Sequence, residues 1–231
     1  MNNVKPAQSG PVTDGLVLWY DPSDVNSYPE SGTTVYDLSG NNQDGTMTNV
    51  SWTSPYFLFN FPTTNAYISV PDNALLEPGS GSYSIEIWFS PGLQDGNQYI
   101  LSKGPFNNFS DLSYAVTRTF GTVNYPWWAS GSTGVQNTQS AMLANEWYQR
   151  VYVLSRSPQE LYTYDNGTKI RTNSHTLGSI NNLAVPLYLG SLSGTSSFFA
   201  GRIGIVRLYN RALSTAEITT NFNNDRSLYS L

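Results

Sequence analysis

The stretch Ser197-Phe198-Phe199-Ala200-Gly201-Arg202-Ile203-Gly204-Ile205-Val206-Arg207-Leu208-Tyr209-Asn210-Arg211-Ala212-Leu213-Ser214-Thr215-Ala216-Glu217-Ile218 decides how this chain folds. Ile203, Ile205, Val206 and Leu208 give the near-continuous apolar run of a strand covered on both faces, relieved by Gly201 and Gly204. Ser214 followed three residues later by Glu217 is a capping box, so a short helix starts at Thr215 and runs to about 223.

Working outward, the clearest alternation lies at 83–90, where Tyr83, Ile85, Ile87 and Phe89 share one face and Ser84, Glu86, Trp88 and Ser90 the other. Gly15–Tyr20 reads as the first strand. Further strands are expected at 56–60, 67–70, 98–103, 112–119, 123–129, 147–154, 186–190 and 199–208. Glu160 to Arg171 reads as a hairpin turning at Asp165-Asn166-Gly167. Many short strands at close spacing, separated by turn residues, mean an all-β sandwich or jelly roll. Residues 1–14, with Pro6, Gly10 and Pro11 and no periodicity, are expected to be an extended arm, leaving 15–231 as a single domain.

Composition excludes several functions. Hydrophobic residues make up 39% and aromatics 14%, enough for a sizeable core, whereas charged residues are only 12%, so intrinsic disorder is excluded. A net charge of −5 argues against nucleic acid held on a broad basic face. The absence of cysteine removes disulfides, thiol catalysis and Cys-based zinc sites, and a single histidine, His175, cannot build a His-rich metal site. No run of about 18 apolar residues is present, so membrane insertion is not expected. The segment after Met1 lacks the apolar stretch of a secretory signal. Without an export signal the chain is expected to be made, and to assemble, in a host cytoplasm.

The closing segment resembles the signature that ends laminin-G-like, concanavalin-A-like jelly-roll domains, "G-x-I-x-x-V-R-x-Y-N-R-A-L-S-x-x-E-I". Other blocks follow in the family's order: Gly15-Leu16-Val17-Leu18, Asp37-Leu38-Ser39-Gly40-Asn41, Tyr67-Ile68-Ser69-Val70, Tyr83 to Phe89, Ile100-Leu101-Ser102-Lys103-Gly104, Glu146 to Val151 and Leu161 to Gly167. Two positions depart from it: Phe61 to Ala66 replace an "F-D-G" turn, and Tyr148 and Gln149 stand where the family writes two histidines. The resemblance implies a concanavalin-A-like jelly-roll β-sandwich, of the kind also found in structural proteins of phages and large viruses.

Several constellations are candidates for chemistry. Glycoside hydrolysis needs two carboxylates flanking one bond. Glu86 is the candidate strand acid, but its i+2 neighbour is Trp88, so it reads as a surface or groove-edge side chain and no catalytic residue is assigned. His175, in a polar segment without a nucleophile motif, reads as an exposed loop residue. Calcium would want carboxylate and carbonyl oxygens from a loop, and Asp37, Ser39, Asn41 and Asp44 crowd one. The competing reading of that loop is an Asx-turn cluster bonding local backbone. Asp95, Asp111 and Asp165 are weaker loop candidates.

Sugar recognition needs an aromatic platform plus amides and carboxylates. The richest stretch supplies Asn107, Asn108 and Asp111, then Tyr125, Trp127 and Trp128. Adjacent strand residues point to opposite faces, so only one of Trp127 and Trp128 can sit in the core. A surface rich in Asn, Ser, Thr and Tyr also suits protein interfaces. Apolar Leu228, Tyr229 and Leu231 predict a docked C-terminus. The expected function is a non-catalytic virion surface protein, a capsid decoration or fibre component, that assembles with itself or other virion proteins and binds cell-surface glycans. The alternative is a free carbohydrate-binding module or lectin, and after it a glycoside hydrolase.

Overall fold

A computed structural model describes residues 10–94, 96–119, 123–136 and 142–231, with the backbone alone at 123–125. The strands, in chain order, are β1 (Leu16–Tyr20), β2 (Thr34–Val35), β3 (Gly45–Thr48), β4 (Ser51–Thr53), β5 (Tyr56–Asn60), β6 (Tyr67–Val70), β7 (Tyr83–Pro91), β8 (Gln98–Lys103), β9 (Tyr114–Thr119), β10 (Val123–Ser130), β11 (Thr133–Gln136), β12 (Tyr148–Arg156), β13 (Gln159–Asp165), β14 (Thr168–Ser174), β15 (Leu187–Leu189) and β16 (Ala200–Tyr209). Helix α1 spans Thr215–Asp225. The strands form two antiparallel sheets. One runs β14-β13-β12-β7-β16-β5-β4 with β1 also paired to β16, and the other β11-β10-β9-β8-β15-β6-β3-β2. The first carries α1 on its outer side and is called the covered sheet; the second is the open sheet.

The sheets meet over one apolar core. Ile85, Ile87, Phe89, Ile203 and Leu208 enter it from the covered sheet, and Ile68, Leu101, Val116, Trp128 and Leu189 from the open one. Alternation alone would send half of each strand to water, but every residue of β7 is buried. Its second face lies under α1 and the turn Arg226–Tyr229, where Trp88 stacks with both Phe222 at 5.8 Å and Tyr229 at 4.5 Å.

The apolar run of β16 reaches both layers through a bulge between Ile203 and Val206. There the Ile205 N–H donates to the Tyr229 hydroxyl at 2.9 Å. A Cβ on Gly204 would lie 2.2 Å from that oxygen, so only glycine permits this approach. Helix α1 starts at the predicted place, with Ser214 and Glu217 capping each other. The β13–β14 hairpin turns at Asn166-Gly167, as the sequence predicts.

Two expectations about single side chains are corrected. Glu86 is not at a surface or groove edge. It is fully buried beneath α1, accepting from Gln149 Nε2 at 2.8 Å, Asn221 Nδ2 at 2.7 Å and Arg207 at 3.4 Å, while Arg207 also grips Asp225 at 2.6 and 3.2 Å. Burial pushes the Glu86 carboxyl up, opposed by the Arg207 charge. Burial alone would lower Arg207, but the Glu86 and Asp225 carboxylates hold it above its ordinary range. His175 is likewise buried rather than exposed: Nε2 donates to the Ser155 carbonyl at 2.9 Å and Nδ1 accepts from the Leu177 N–H at 3.2 Å. The C-terminus is docked, as expected, but through Tyr229, while the Leu228 and Leu231 side chains are exposed.

Of the arm expected at 1–14, residues 1–9 lie outside the described part. Val12 is fastened to the domain: its N–H donates to Asn221 Oδ1 at 2.9 Å and its carbonyl accepts from the Tyr209 hydroxyl at 3.1 Å.

Candidate functional site

Strand register brings Ser69, Tyr188, Ser102, Ala115, Trp127 and Gln136 into one row across the outer face of the open sheet. At the β9–β10 end of that row Tyr99, Phe106, Phe109 and Trp127 form an aromatic cluster backed by Leu112, Ala115, Ala129 and Leu192. Trp127 stands 5.3 Å from Phe106 and 5.5 Å from Phe109, both tilted, and Phe106 meets Tyr99 edge-on at 6.4 Å. Phe106 holds φ +51°, a left-handed conformation that bulky residues rarely adopt without a local reason. Gly134 lies under the ring of Phe109, where a Cβ would come within 2.1 Å. A cleft of about 230 Å³ opens here, lined by Asn97, Tyr99, Phe106, Thr117, Thr119, Trp127 and Gln136.

Among the described residues the lining of this cleft is neutral. Its walls are the buried ring of Tyr99, the half-buried rings of Phe106 and Trp127, two hydroxyls and two exposed amides. Burial pushes the Tyr99 hydroxyl up to about 12, so it remains a neutral phenol at ordinary pH. Such a surface can stack an apolar ring face and hydrogen-bond hydroxyls.

The sequence-predicted sugar residues divide sharply. Trp127 is in the cleft. Trp128 faces the opposite way and is 1% exposed in the core, 5.8 Å from Tyr114, so it cannot touch a ligand. Asn107, Asn108 and Asp111 do not line the cleft; they build the turn beside it. Asn108 Oδ1 accepts from the Ser110 N–H at 2.9 Å and from the Ser110 hydroxyl. Asp111 Oδ1 accepts from the Asn108 N–H at 3.1 Å, and its Oδ2 from Asn107 Nδ2 at 3.0 Å. Their role is to position Phe106 and Phe109. Tyr125 sits opposite Thr117 in the ladder, and its side chain lies outside the described residues. Sequence reasoning missed Tyr99, Thr117 and Gln136, which come from separate strands and meet Trp127 only through register.

The loop proposed for calcium is a backbone clasp. Asp37 Oδ1 accepts from the N–H groups of Trp19 and Ser39, both at 2.9 Å, and Oδ2 from the Ser39 hydroxyl at 2.6 Å and the Gln43 N–H at 3.1 Å. Asp44 accepts from the Asp37 N–H at 2.9 Å, while Asn41 turns its amide N–H groups to the Leu16 carbonyl at 3.1 Å and Ser39 Oγ at 3.0 Å. These oxygens face donors, the Asx-turn reading of the loop. No group of three or more acidic, His or Cys side chains that could hold a metal occurs among the described residues. Asp165 faces Arg150 at 3.4 Å, and Asp95 lies outside the described residues.

Comparison with known proteins is consistent with this architecture. The family model described as concanavalin A-like lectin/glucanases superfamily matches residues 62–219. No curated protein matches the chain. Similar solved structures include the binding domain of Paraclostridial Mosquitocidal Protein 1, at 20% identity and TM-score 0.72, covering 91% of this chain and 52% of that one. The binding domain of Botulinum Neurotoxin DC in complex with SialylT is similar at 15% identity and TM-score 0.72, covering 94% and 52%. The Botulinum Neurotoxin serotype G binding domain is similar at 15% identity and TM-score 0.68, covering 92% and 51%. The chain spans about half the length of these structures.

Proposed function

The chain belongs to the concanavalin A-like lectin/glucanases superfamily, and from that premise we propose that it is a non-catalytic carbohydrate-binding protein whose ligand seats on the Trp127 face of the open sheet. The observation that carries this reading is the open aromatic cleft itself: Trp127 and Phe106 as a platform, with Asn97, Thr117 and Gln136 around it. A pyranose has an apolar face that suits a ring and hydroxyls that suit amides. Binding without hydrolysis agrees with a cleft whose described lining residues include no carboxylate and with Glu86 sealed under α1, since hydrolysis needs a carboxylate pair at the bond. It also agrees with similar structures that are binding domains, one in complex with SialylT and one with rat synaptotagmin II.

A glycan array probed with the whole chain and with Trp127→Ala tests the reading. The expected result is a defined set of bound glycans, with apparent affinity falling roughly tenfold or more in the variant. No bound glycan, or a variant indistinguishable from the parent, overturns it.

We further propose that this binding serves a virion surface, as a capsid decoration or fibre component that self-associates. What supports the proposal is the low charge content of 12%, together with apolar side chains standing in solvent at Leu93, Leu143, Leu228 and Leu231. Mass spectrometry of purified particles is the test. High copy number on particles supports the virion role; a free monomer absent from particles replaces it with a free lectin or carbohydrate-binding module.

A further inference from the structure

Helix α1 covers only part of the covered sheet; one groove opens on that sheet's outer side where β5, β7 and β16 meet, and a second adjoins it between Tyr56, Trp147 and the C-terminal residues Leu228 to Leu231. Arg202 stands at their junction. It pairs with Leu58 of β5 on one side and Ser90 of β7 on the other, and because Ile203 enters the core, Arg202 points outward. Its guanidinium lies 5.3 Å over the ring of Tyr56. Lys103, Arg150, Arg207 and Arg211 each face a carboxylate. Arg202 faces none among the described residues.

Beside it Ser90 is 2% exposed, and its hydroxyl has no hydrogen-bond partner. A buried hydroxyl without a partner calls for an explanation, and one explanation is a ligand that supplies it. Both residues line a groove of about 250 Å³ with Asn60, Phe61, Gln94 and Asn145. Phe61 is stacked against Phe198 at 6.1 Å and gives the groove a flat apolar wall. The adjoining groove shares Asn145 and contains Trp147, 5.8 Å from Tyr56.

This is a different chemistry from the Trp127 cleft. A guanidinium with one face on an aromatic ring keeps its in-plane N–H fork for a planar, two-oxygen acceptor. The Ser90 hydroxyl sits at the next strand position to donate to the same group or its neighbour. Three amides and a ring wall suit the hydroxyls and apolar face of a sugar. A neutral sugar would leave the guanidinium unanswered. A polyanion would meet Glu146 in the adjoining groove and a protein of net charge −5. We propose that this groove is a second ligand site, independent of the Trp127 cleft, which takes a sugar bearing a single carboxylate.

Calorimetric titration of the whole chain with N-acetylneuraminic acid and with glucuronic acid tests it, with lactose as neutral control and acetate as bare carboxylate. At least one acid should bind this groove. Arg202→Gln should weaken it about tenfold or more, the scale of losing charge-assisted hydrogen bonds. Arg202→Lys should recover only part, since a point charge lacks the fork. Ser90→Ala should weaken it severalfold, and Trp127→Ala should leave it unchanged. Melting temperatures show whether each variant is folded; if Arg202→Gln is not, Arg202→Lys and Ser90→Ala carry the test. Failure of both acids to bind, undiminished binding by the folded Arg202 and Ser90 variants, or loss on Trp127→Ala overturns the proposal. Acetate binding as tightly as the acids overturns the sugar assignment.

Discussion

Trp128 packs 5.8 Å from Tyr114 and 6.5 Å from Tyr83 at the centre of the sandwich, while Trp127 packs against Phe106 and Phe109 on the outer face. Truncating the first removes a buried ring and leaves a cavity, so Trp128→Ala should cost about 3–5 kcal/mol of stability, read as a drop in the urea midpoint. Trp127→Ala should move that midpoint much less and act on ligand instead. The alternation rule states that the two rings must part company, and it is silent on which goes inward. That depends on the side of β10 on which the second sheet lies. The acidic residues carry a similar lesson. Asp37 and Asp111 stand in stretches that read equally well as ligand sets or as turns, because Asp and Asn oxygens serve cations, sugars and backbone N–H groups alike. Only the positions of the Trp19, Ser39 and Asn108 N–H groups decide between them.

At the scale of elements, α1 was legible from its first turn. The capping box is a local hydrogen-bond pattern, needing no distant residue, and Ser214→Ala should cost about 1 kcal/mol. Its electrostatics are less local. Arg211 reaches Glu217 at 2.7 Å and, with the Ser214 hydrogen bonds, holds the Glu217 carboxyl down at about 2, against an ordinary 4.5. A depressed carboxylate stabilises the fold above the unfolded value and loses that contribution as pH falls toward the folded one. The melting temperatures of the parent and Glu217→Gln should therefore differ at pH 6 and converge between about pH 4.5 and 2. Unchanged separation at low pH would remove Glu217 from the account. The β16 bulge was only half legible. Two glycines and an unbroken apolar run mark an unusual strand, yet the reason for Gly204 is the hydroxyl of Tyr229, 25 residues further along.

At the scale of the whole molecule, the covered sheet owes its second buried face to the chain's own C-terminal part. Tyr229 links three parts of the chain: it stacks on Trp88 of β7, its hydroxyl oxygen accepts from the Ile205 N–H of β16, and it lies 4.4 Å from Trp147. Tyr229→Ala should expose Trp88, seen as a red-shifted and more quenchable tryptophan emission, and should lower stability by a few kcal/mol. Sequence by itself determined the sandwich, most strand positions, the hairpin turn and the capped helix, because each rests on periodicity or on contacts spanning only a few residues. Tertiary structure alone decided that Glu86 is sealed beside Arg207 rather than exposed. It also decided that Tyr99, Thr117 and Gln136 join Trp127, and that Arg202 faces an open groove beside Ser90. These are matters of which strands lie side by side and what covers each sheet. Burial and cross-strand neighbours follow from that packing, and no stretch of sequence contains it.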